Sequence, residues 1–454
     1  MTPALVIAAP SSGSGKTVVA TGLMAALRRA GHRVAPFKVG PDYIDPGYHT
    51  LAAARPGRNL DPVLVGEFLV GPLFAHGSSG ADIAVVEGVM GLFDGKVGTD
   101  GFGSTAHVAE LLGAPVVLVV DTRGHSSSLA ALLHGFRTWR PGVRLAGVIL
   151  NQVGSDRHEA VLRDACEDVG LAVLGVLRRN AAVDVPSRHL GLVTAAEHGP
   201  AAVRAVDAMA DLVAGGVDLP AIVHLARSGT GFPPWAPDIE PVPGTPVVAV
   251  AGGPAFTFGY AEHTELLRMA GAEVAVVDPL RDTALPPGTA GLVLPGGFPE
   301  QYAAELSANT ALRAAVAAAD LPVHAECAGM LYLTRSLDGH PMCGVLPADA
   351  AMTSTLTLGY RDVVAPHDSV LHPAGTRLTG HEFHRTTVTP AHGAEPAWRW
   401  RGGTDGFAGP RHHASYVHTH PAASPASVAR FVARCATRSS STANATPSTS
   451  HNTA

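Results

Sequence analysis

The first thirty residues constrain the fold most. Ala4–Ala9 is an apolar run of strand length, and Pro10-Ser-Ser-Gly-Ser-Gly-Lys-Thr17 is a glycine-rich turn. Val18–Ala30 then carries helical periodicity. Strand, glycine turn, Lys-Thr and helix together aim backbone N–H groups and a helix N-terminus at phosphate oxygens. The N–H groups of Gly13, Ser14 and Gly15 form the cradle, Lys16 reaches the terminal phosphates, and Thr17 offers its hydroxyl to Mg²⁺. ATP is the expected ligand. One departure is Pro10, which stands where the first glycine of such loops usually falls.

A turn of this kind belongs to a βαβ unit, and the chain repeats that rhythm. Val34–Phe37, Ile83–Glu87, Val116–Asp121, Gly147–Asn151 and Leu190–Ala195 are short apolar runs separated by helix-length segments. The Pro-rich stretch 227–246 reads as a linker, after which Val247–Ala251, Val274–Asp278, Gly291–Leu294 and Pro322–Ala325 restart the alternation. The expectation is an α/β protein of two domains, each a mainly parallel sheet flanked by helices. Residues 1–226 form the first domain and 247–435 the second. The Ser/Thr/Asn-rich segment 436–454 is a disordered tail.

Residues just past strand ends line the ligand crevice of an open parallel sheet. Lys38, Asp42, Tyr43 and Asp45 follow the second strand; Glu87 ends a later one, with Asp94 close behind. Carboxylates in those places can hold Mg²⁺, which takes oxygen ligands and shares its shell with phosphate. Taken singly, Asp42 and Asp45 also suit helix caps and turns. Glu87 does not, because a carboxylate at the end of a buried strand needs a partner.

The second half carries a different chemistry. Pro322–Ala325 leads into Glu326-Cys-Ala-Gly-Met330 and a helix, which puts Cys327 at a sharp strand-to-helix turn. The helix dipole there is expected to lower the thiol pKa and favour a thiolate nucleophile. Upstream, Pro295-Gly-Gly297 follows another strand, so the N–H groups of Gly297 and Ala328 can form an oxyanion hole. Cys166, Cys343 and Cys435 read as buried filler. Among 23 histidines, His418 and His420 compete to be the base, and in a strand they face opposite ways. His381 and His384 read either as helix-spaced metal ligands or substrate contacts or, more blandly, as solvated loop histidines.

Composition excludes several classes. A formal charge of −6 argues against a nucleic-acid binder. The four cysteines form no CxxC pair, and no apolar run reaches bilayer length. Without a signal-like N-terminus either, the expected location is cytoplasmic, with no membrane partner. Only Lys16, Lys38 and Lys96 among 32 basic residues are lysines; Lys16 and Lys38 sit inside the motifs above, and Lys96 falls two residues after Asp94.

In order along the chain, APSSGSGKT, FKVGPDYIDPGYH, VVEGVMGLFDG, NQVGSDRH, LPGGFPEQY, ECAGMLYL, GHEFHRT and SYVHTHP resemble the cobyrinate and hydrogenobyrinate a,c-diamide synthase family. The resemblance runs from about Leu5 to Pro421. It implies a dethiobiotin-synthetase-like P-loop domain and a class I glutamine amidotransferase domain acting on a corrinoid with ATP and L-glutamine. By matching positions it makes Cys327 the glutaminase nucleophile, His418 its base and Glu87 a metal carboxylate. It also places Asp42, Tyr43, Asp45 and Asp94 at the substrate carboxylate and metal, and Asn151 near the nucleotide base. Most class I glutaminases carry Glu two residues after the catalytic His; here that residue is His420, which suggests a Cys–His dyad. A homodimer is a family expectation only. The sequence leaves open a sister enzyme (cobyric acid synthase or nickel-sirohydrochlorin a,c-diamide synthase) and, from another class, a P-loop partner-binding switch ATPase. It also leaves open whether the ring carries cobalt.

Overall fold

The computed structural model describes residues 2–179, 187–188, 191–192, 194–226 and 231–443. The chain divides into two compact units, Met1–Ala236 and Pro237–Ala454.

The first unit is built on a seven-stranded parallel sheet. Its strands are β1 Ala4–Ala8, β2 Val34–Val39, β3 Arg58–Leu60, β4 Ile83–Glu87, β5 Val116–Asp121, β6 Leu145–Val153 and β7 Val173–Arg178, in the order β3-β2-β4-β1-β5-β6-β7. Strands β1 and β4 are buried along their whole length, as near-continuous Val/Ile/Ala runs covered on both faces must be. Helix α1 (Lys16–Arg29) lies against the helix Pro200–Gly216, and Gly22 permits the approach, since a Cβ there would strike the Met209 carbonyl. The order places β1 centrally. The loops after β1, β2, β4, β5 and β6 therefore open at one edge, the usual crevice of such sheets.

The sequence reading missed β3 and β7. The expected strand Leu190–Ala195 is not part of this sheet. Gly191–Leu192 (β9) pairs antiparallel with Ser187–Arg188 (β8), and Ala195 already begins a helix capped by the Thr194 hydroxyl. Residues 190 and 193 lie outside the described residues.

The second unit has a six-stranded sheet in the order β11-β10-β12-β13-β21-β20. It comprises β10 Val247–Ala251, β11 Glu273–Val277, β12 Thr289–Leu294, β13 Val323–Glu326, β20 Phe407–Ala408 and β21 His412–Ser415, parallel except for the β20–β21 pair. The sequence reading did not foresee a further, mainly antiparallel sheet. That sheet is built on a long hairpin of β16 (Asp349–Val364) and β17 (Arg377–Thr389). Short strands β14 Ser336–Leu337, β15 His340–Pro341, β18 Trp398–Trp400, β19 Gly403–Asp405 and β22 His418–Thr419 extend it.

Two expected boundaries move. Trp235 is buried and Phe232 packs at Gly71, so residues 231–236 of the expected linker belong to the first unit. The expected disordered tail starts too early, because the last helix runs Pro425–Ala443. Its anchoring residues Phe431, Val432 and Cys435 are buried, and they carry the helix beyond residue 436. Residues 444–454 lie outside the described residues. No helix among the described residues is long and apolar enough to cross a membrane.

Two candidate active sites

In the first unit the turn after β1 bends through Gly13 and Gly15, at φ 80° and 92°. Gly15 is favoured here over any residue with a side chain. Its φ disfavours L side chains, and a Cβ would collide with the Asn151 amide. Asn151, at the end of β6, donates from Nδ2 to the Ser14 carbonyl at 3.1 Å, so it holds the loop's shape. A cleft beside the loop is lined by Gly13, Val18, Asp121, Arg123, Asn151 and Arg178.

Lys16 donates to the carbonyls of Met90 (2.5 Å) and Ser11 (3.3 Å). Met90 turns that carbonyl inward by adopting φ 47°, a strained conformation for a non-glycine residue. Burial and the nearby Lys38 charge lower the Lys16 ammonium to about 8.

Behind Lys16 lies a buried polar cluster. Thr17 Oγ1 donates to Glu87 Oε1 at 2.6 Å and lies 3.3 Å from Asp45 Oδ2. Lys38 Nζ contacts Asp45 Oδ2 (2.7 Å), Glu87 Oε1 (2.9 Å) and the Gly88 carbonyl (3.1 Å). An ammonium has three donors, and here all three are engaged. Lys38 thus organises carboxylates and, in this arrangement, has no donor left for a substrate. Burial opposes its charge, but Asp45 and Glu87 outweigh that and hold its pKa above the usual value. Burial pushes Glu87 up as well, yet Lys38, His49 and Thr17 overcome it and keep the carboxyl well below the usual range. Asp45 moves the other way, up to about 7, because burial and the Asp42 charge exceed the help from Lys38.

His49 is a member the sequence reading missed. It is fully buried, with Nε2 2.7 Å from Glu87 Oε2. On helix α2 (Asp45–Ala53) it stands four residues after Asp45, so both share a face toward Glu87. Asp42 and Asp94 take local roles. Asp42 Oδ1 accepts from the N–H groups of Ile44 and Asp45, and Asp94 Oδ2 accepts from the N–H of Gly91. Asp94 is also close enough for its charge to support Lys16. Tyr43 is buried beside them. The oxygens of Thr17, Asp45 and Glu87 converge within hydrogen-bond distance, a donor set that suits a hard cation.

In the second unit Cys327 follows β13 at φ 45° and ψ −103°, a strained turn that lifts the side chain off the strand. Gly329 lets the next helix, Ala328–Leu333, dock, since a Cβ there would strike the Leu294 carbonyl at the end of β12. Gly297 is equally confined against the Ala255 carbonyl. The expected lowering of the thiol pKa is reversed. Burial and the carboxylates of Glu300, Glu326 and Asp405 raise it, outweighing the Ala328 N–H. A six-residue helix offers too little dipole to offset a buried, acid-flanked sulfur.

His418, in β22, is wholly buried, and the Cε1–Nε2 edge of its ring lies against Gly296. Its Nδ1 is 3.3 Å from Glu326 Oε2. His420 turns elsewhere: its Nδ1 accepts from the Ala422 N–H at 3.2 Å, and its ring lies 4.2 Å from Tyr260. His381 and His384 are neither loop histidines nor a helix-spaced ligand pair. Both are buried in β17, where His384 stacks on Tyr416 at 3.7 Å. Cys166, Cys343 and Cys435 are buried and form no disulfide.

A P-loop nucleotide unit and a cysteine-elbow amidotransferase unit in one chain define a glutamine-dependent amide synthase. Residues 5–193 match the CobQ/CobB/MinD/ParA nucleotide binding domain and residues 247–426 the CobB/CobQ-like glutamine amidotransferase domain. The chain is 61% identical to the hydrogenobyrinate a,c-diamide synthase of Mycobacterium tuberculosis, over 95% of this chain and 98% of that one. It is 59% identical to the protein of that name from Streptomyces coelicolor, over 96% and 98%. To the cobyrinate a,c-diamide synthase of Syntrophotalea carbinolica it is 42% identical, over 95% and 98%. The chain belongs to the a,c-diamide synthase family.

Proposed function

We propose that this protein amidates the a and c acetate side chains of hydrogenobyrinate, the metal-free ring, in the cytoplasm as a step of cobalamin biosynthesis. The relatives at 61% and 59% identity carry the hydrogenobyrinate name, and the one at 42% carries the cobyrinate name. The observation that carries the reading is the joining, in one chain, of the Lys16–Thr17–Glu87 cluster to the strained Cys327 elbow.

A carboxylate does not accept ammonia until it is activated. In the first unit a side-chain carboxylate oxygen attacks the γ-phosphorus of ATP, forming an acyl phosphate and releasing ADP. Backbone N–H groups of Gly13–Gly15 orient the phosphates, and Lys16 exchanges its bonds to Met90 and Ser11 for phosphate oxygens. Thr17, Asp45 and Glu87 would hold Mg²⁺, which supplies neutralisation of charge on the transferring group. Lys38 and His49 keep Asp45 and Glu87 in place. The cleft at Asn151, Asp121 and Arg178 suits the nucleoside. Tyr43, Asp42 and Asp94 border the acyl-phosphate site.

In the second unit Cys327 Sγ attacks the glutamine carboxamide carbon while its proton passes to His418 Nε2. The N–H groups of Gly297 and Ala328 steady the oxyanion, each contributing about 3 kcal/mol. His418 returns the proton to the departing nitrogen, ammonia leaves, and water hydrolyses the thioester. Ammonia attacks the acyl phosphate, expelling phosphate and leaving the amide.

The test is incubation of the purified protein with ATP, glutamine and either hydrogenobyrinate or cobyrinate, read by mass spectrometry. Two successive amidations of the metal-free ring, faster than those of the cobalt ring, are expected. Preferential conversion of cobyrinate overturns the substrate, and absence of ATP-dependent amidation of either overturns the reading.

A further inference from the structure

We infer that Glu326 is the positioning carboxylate of the glutaminase, holding His418 from the residue immediately before the nucleophile. The inference rests on the reading of Cys327 and His418 as nucleophile and base.

A histidine base works when its second nitrogen is fixed by a third group, which sets both the tautomer and the ring angle. Glu326 ends β13, and its side chain is 14% exposed. Oε2 lies 3.3 Å from His418 Nδ1, while Oε1 accepts from the Thr419 N–H at 3.2 Å and the Thr419 hydroxyl at 3.3 Å. His324 Nε2 stands 3.4 Å from the same Oε1. The carboxylate is thus steadied on one oxygen and directed at His418 with the other. Burial alone would raise its pKa, but His324 and His418 hold it well below the usual range, so it is anionic. A proton on His418 Nδ1 facing that oxygen leaves Nε2, on the ring edge against Gly296, as the acceptor for the thiol proton.

The other candidates near His418 are committed elsewhere. His420, where a carboxylate is usual, caps the turn Pro421–Ala423. His381 faces His418 across the β17–β22 ladder, but burial, with His418 beside it, lowers it to about 3, so it is neutral. Glu382 pairs with Arg361 at 2.5 Å. Asp405 accepts from the Ser415 hydroxyl and the Tyr416 N–H.

The test measures glutamine hydrolysis by the full chain for wild type, E326Q, E326D, T419V and C327A, together with thermal midpoints. E326Q is expected to lower kcat at least about 100-fold with little change in the KM for glutamine. E326D should recover part of that loss. T419V, which removes one of the bonds steadying Oε1, should fall between wild type and E326Q. A near-wild-type kcat in E326Q, or E326D no better than E326Q at an unchanged midpoint, overturns the assignment. Should E326Q unfold, the decision passes to E326D and T419V, and wild-type kcat in both overturns it. Hydrolysis that survives in C327A instead sinks the nucleophile reading itself. Loss in C327A with retention in E326Q sinks only the role of Glu326.

Discussion

Lys38 and Asp45 form a buried ion pair, Nζ to Oδ2 at 2.7 Å, between a strand and the helix that follows it. Glu87 shares the same ammonium at 2.9 Å, so one cation holds two carboxylates that would otherwise repel each other. Removing one partner of a buried pair strands the other charge, at a cost of about 3–5 kcal/mol. Lys38→Met should therefore lower the stability of the first unit by about that much and abolish ATP-dependent amidation. Glutamine hydrolysis, which belongs to the second unit, should persist. Urea unfolding with parallel glutaminase assays checks both. Lys38→Arg should not rescue, since a planar fork does not fit a site built around a compact ammonium.

Lys16 gives a pH dependence. Its ligand-free pKa lies near 8, below the usual lysine value, because burial disfavours the charge. Phosphates favour the protonated form, so ATP binding above pH 8 should be accompanied by proton uptake that fades as pH falls below it. Calorimetry in buffers of different ionisation enthalpy measures this directly. A proton count that stays flat across that range, or is unchanged in Lys16→Gln, would contradict the assignment.

The raised thiol pKa of Cys327 has its own signature. Without glutamine, alkylation of Cys327 by iodoacetamide should be slow at neutral pH and keep rising well into the alkaline range. A plateau near neutrality would indicate a resting thiolate. Cys327→Ala supplies the background from the three other buried cysteines.

Gly329 is confined by backbone rather than by a movable side chain, so Gly329→Ala cannot be absorbed by a rotamer change. The expected cost is about 1–3 kcal/mol, with loss of glutaminase activity as the elbow shifts. Thermal unfolding and hydrolysis rates report the two effects separately.

What could be read from the sequence was what is local. Lys16, Thr17 and Cys327 stand at strand–turn–helix junctions that one short window reveals, and Glu87 ends an uninterrupted apolar run. His49 and Glu326 escaped because their partners, Glu87 and His418, are distant in the chain and meet only in the fold. Glu326 is further hidden by its place before the cysteine rather than after the histidine. The β16–β17 hairpin escaped for another reason. Much of β16 is exposed, so it lacks the apolar run that marks the buried strands. The thiol pKa departs from the sequence expectation because a helix N-terminus is visible in sequence, whereas the burial and acidic neighbours that outweigh it are not.

The central claim is that two separable chemistries, ammonia release at Cys327 and carboxylate activation at Lys16 and Glu87, act in series. Cys327→Ala tests it most directly, assayed with ATP and hydrogenobyrinate and supplied with either glutamine or ammonium salt. The account predicts loss of amide formation from glutamine and near-wild-type amide formation from ammonia. Amidation from glutamine that survives the substitution, or amidation from ammonia that disappears with it in a folded protein, would contradict the account.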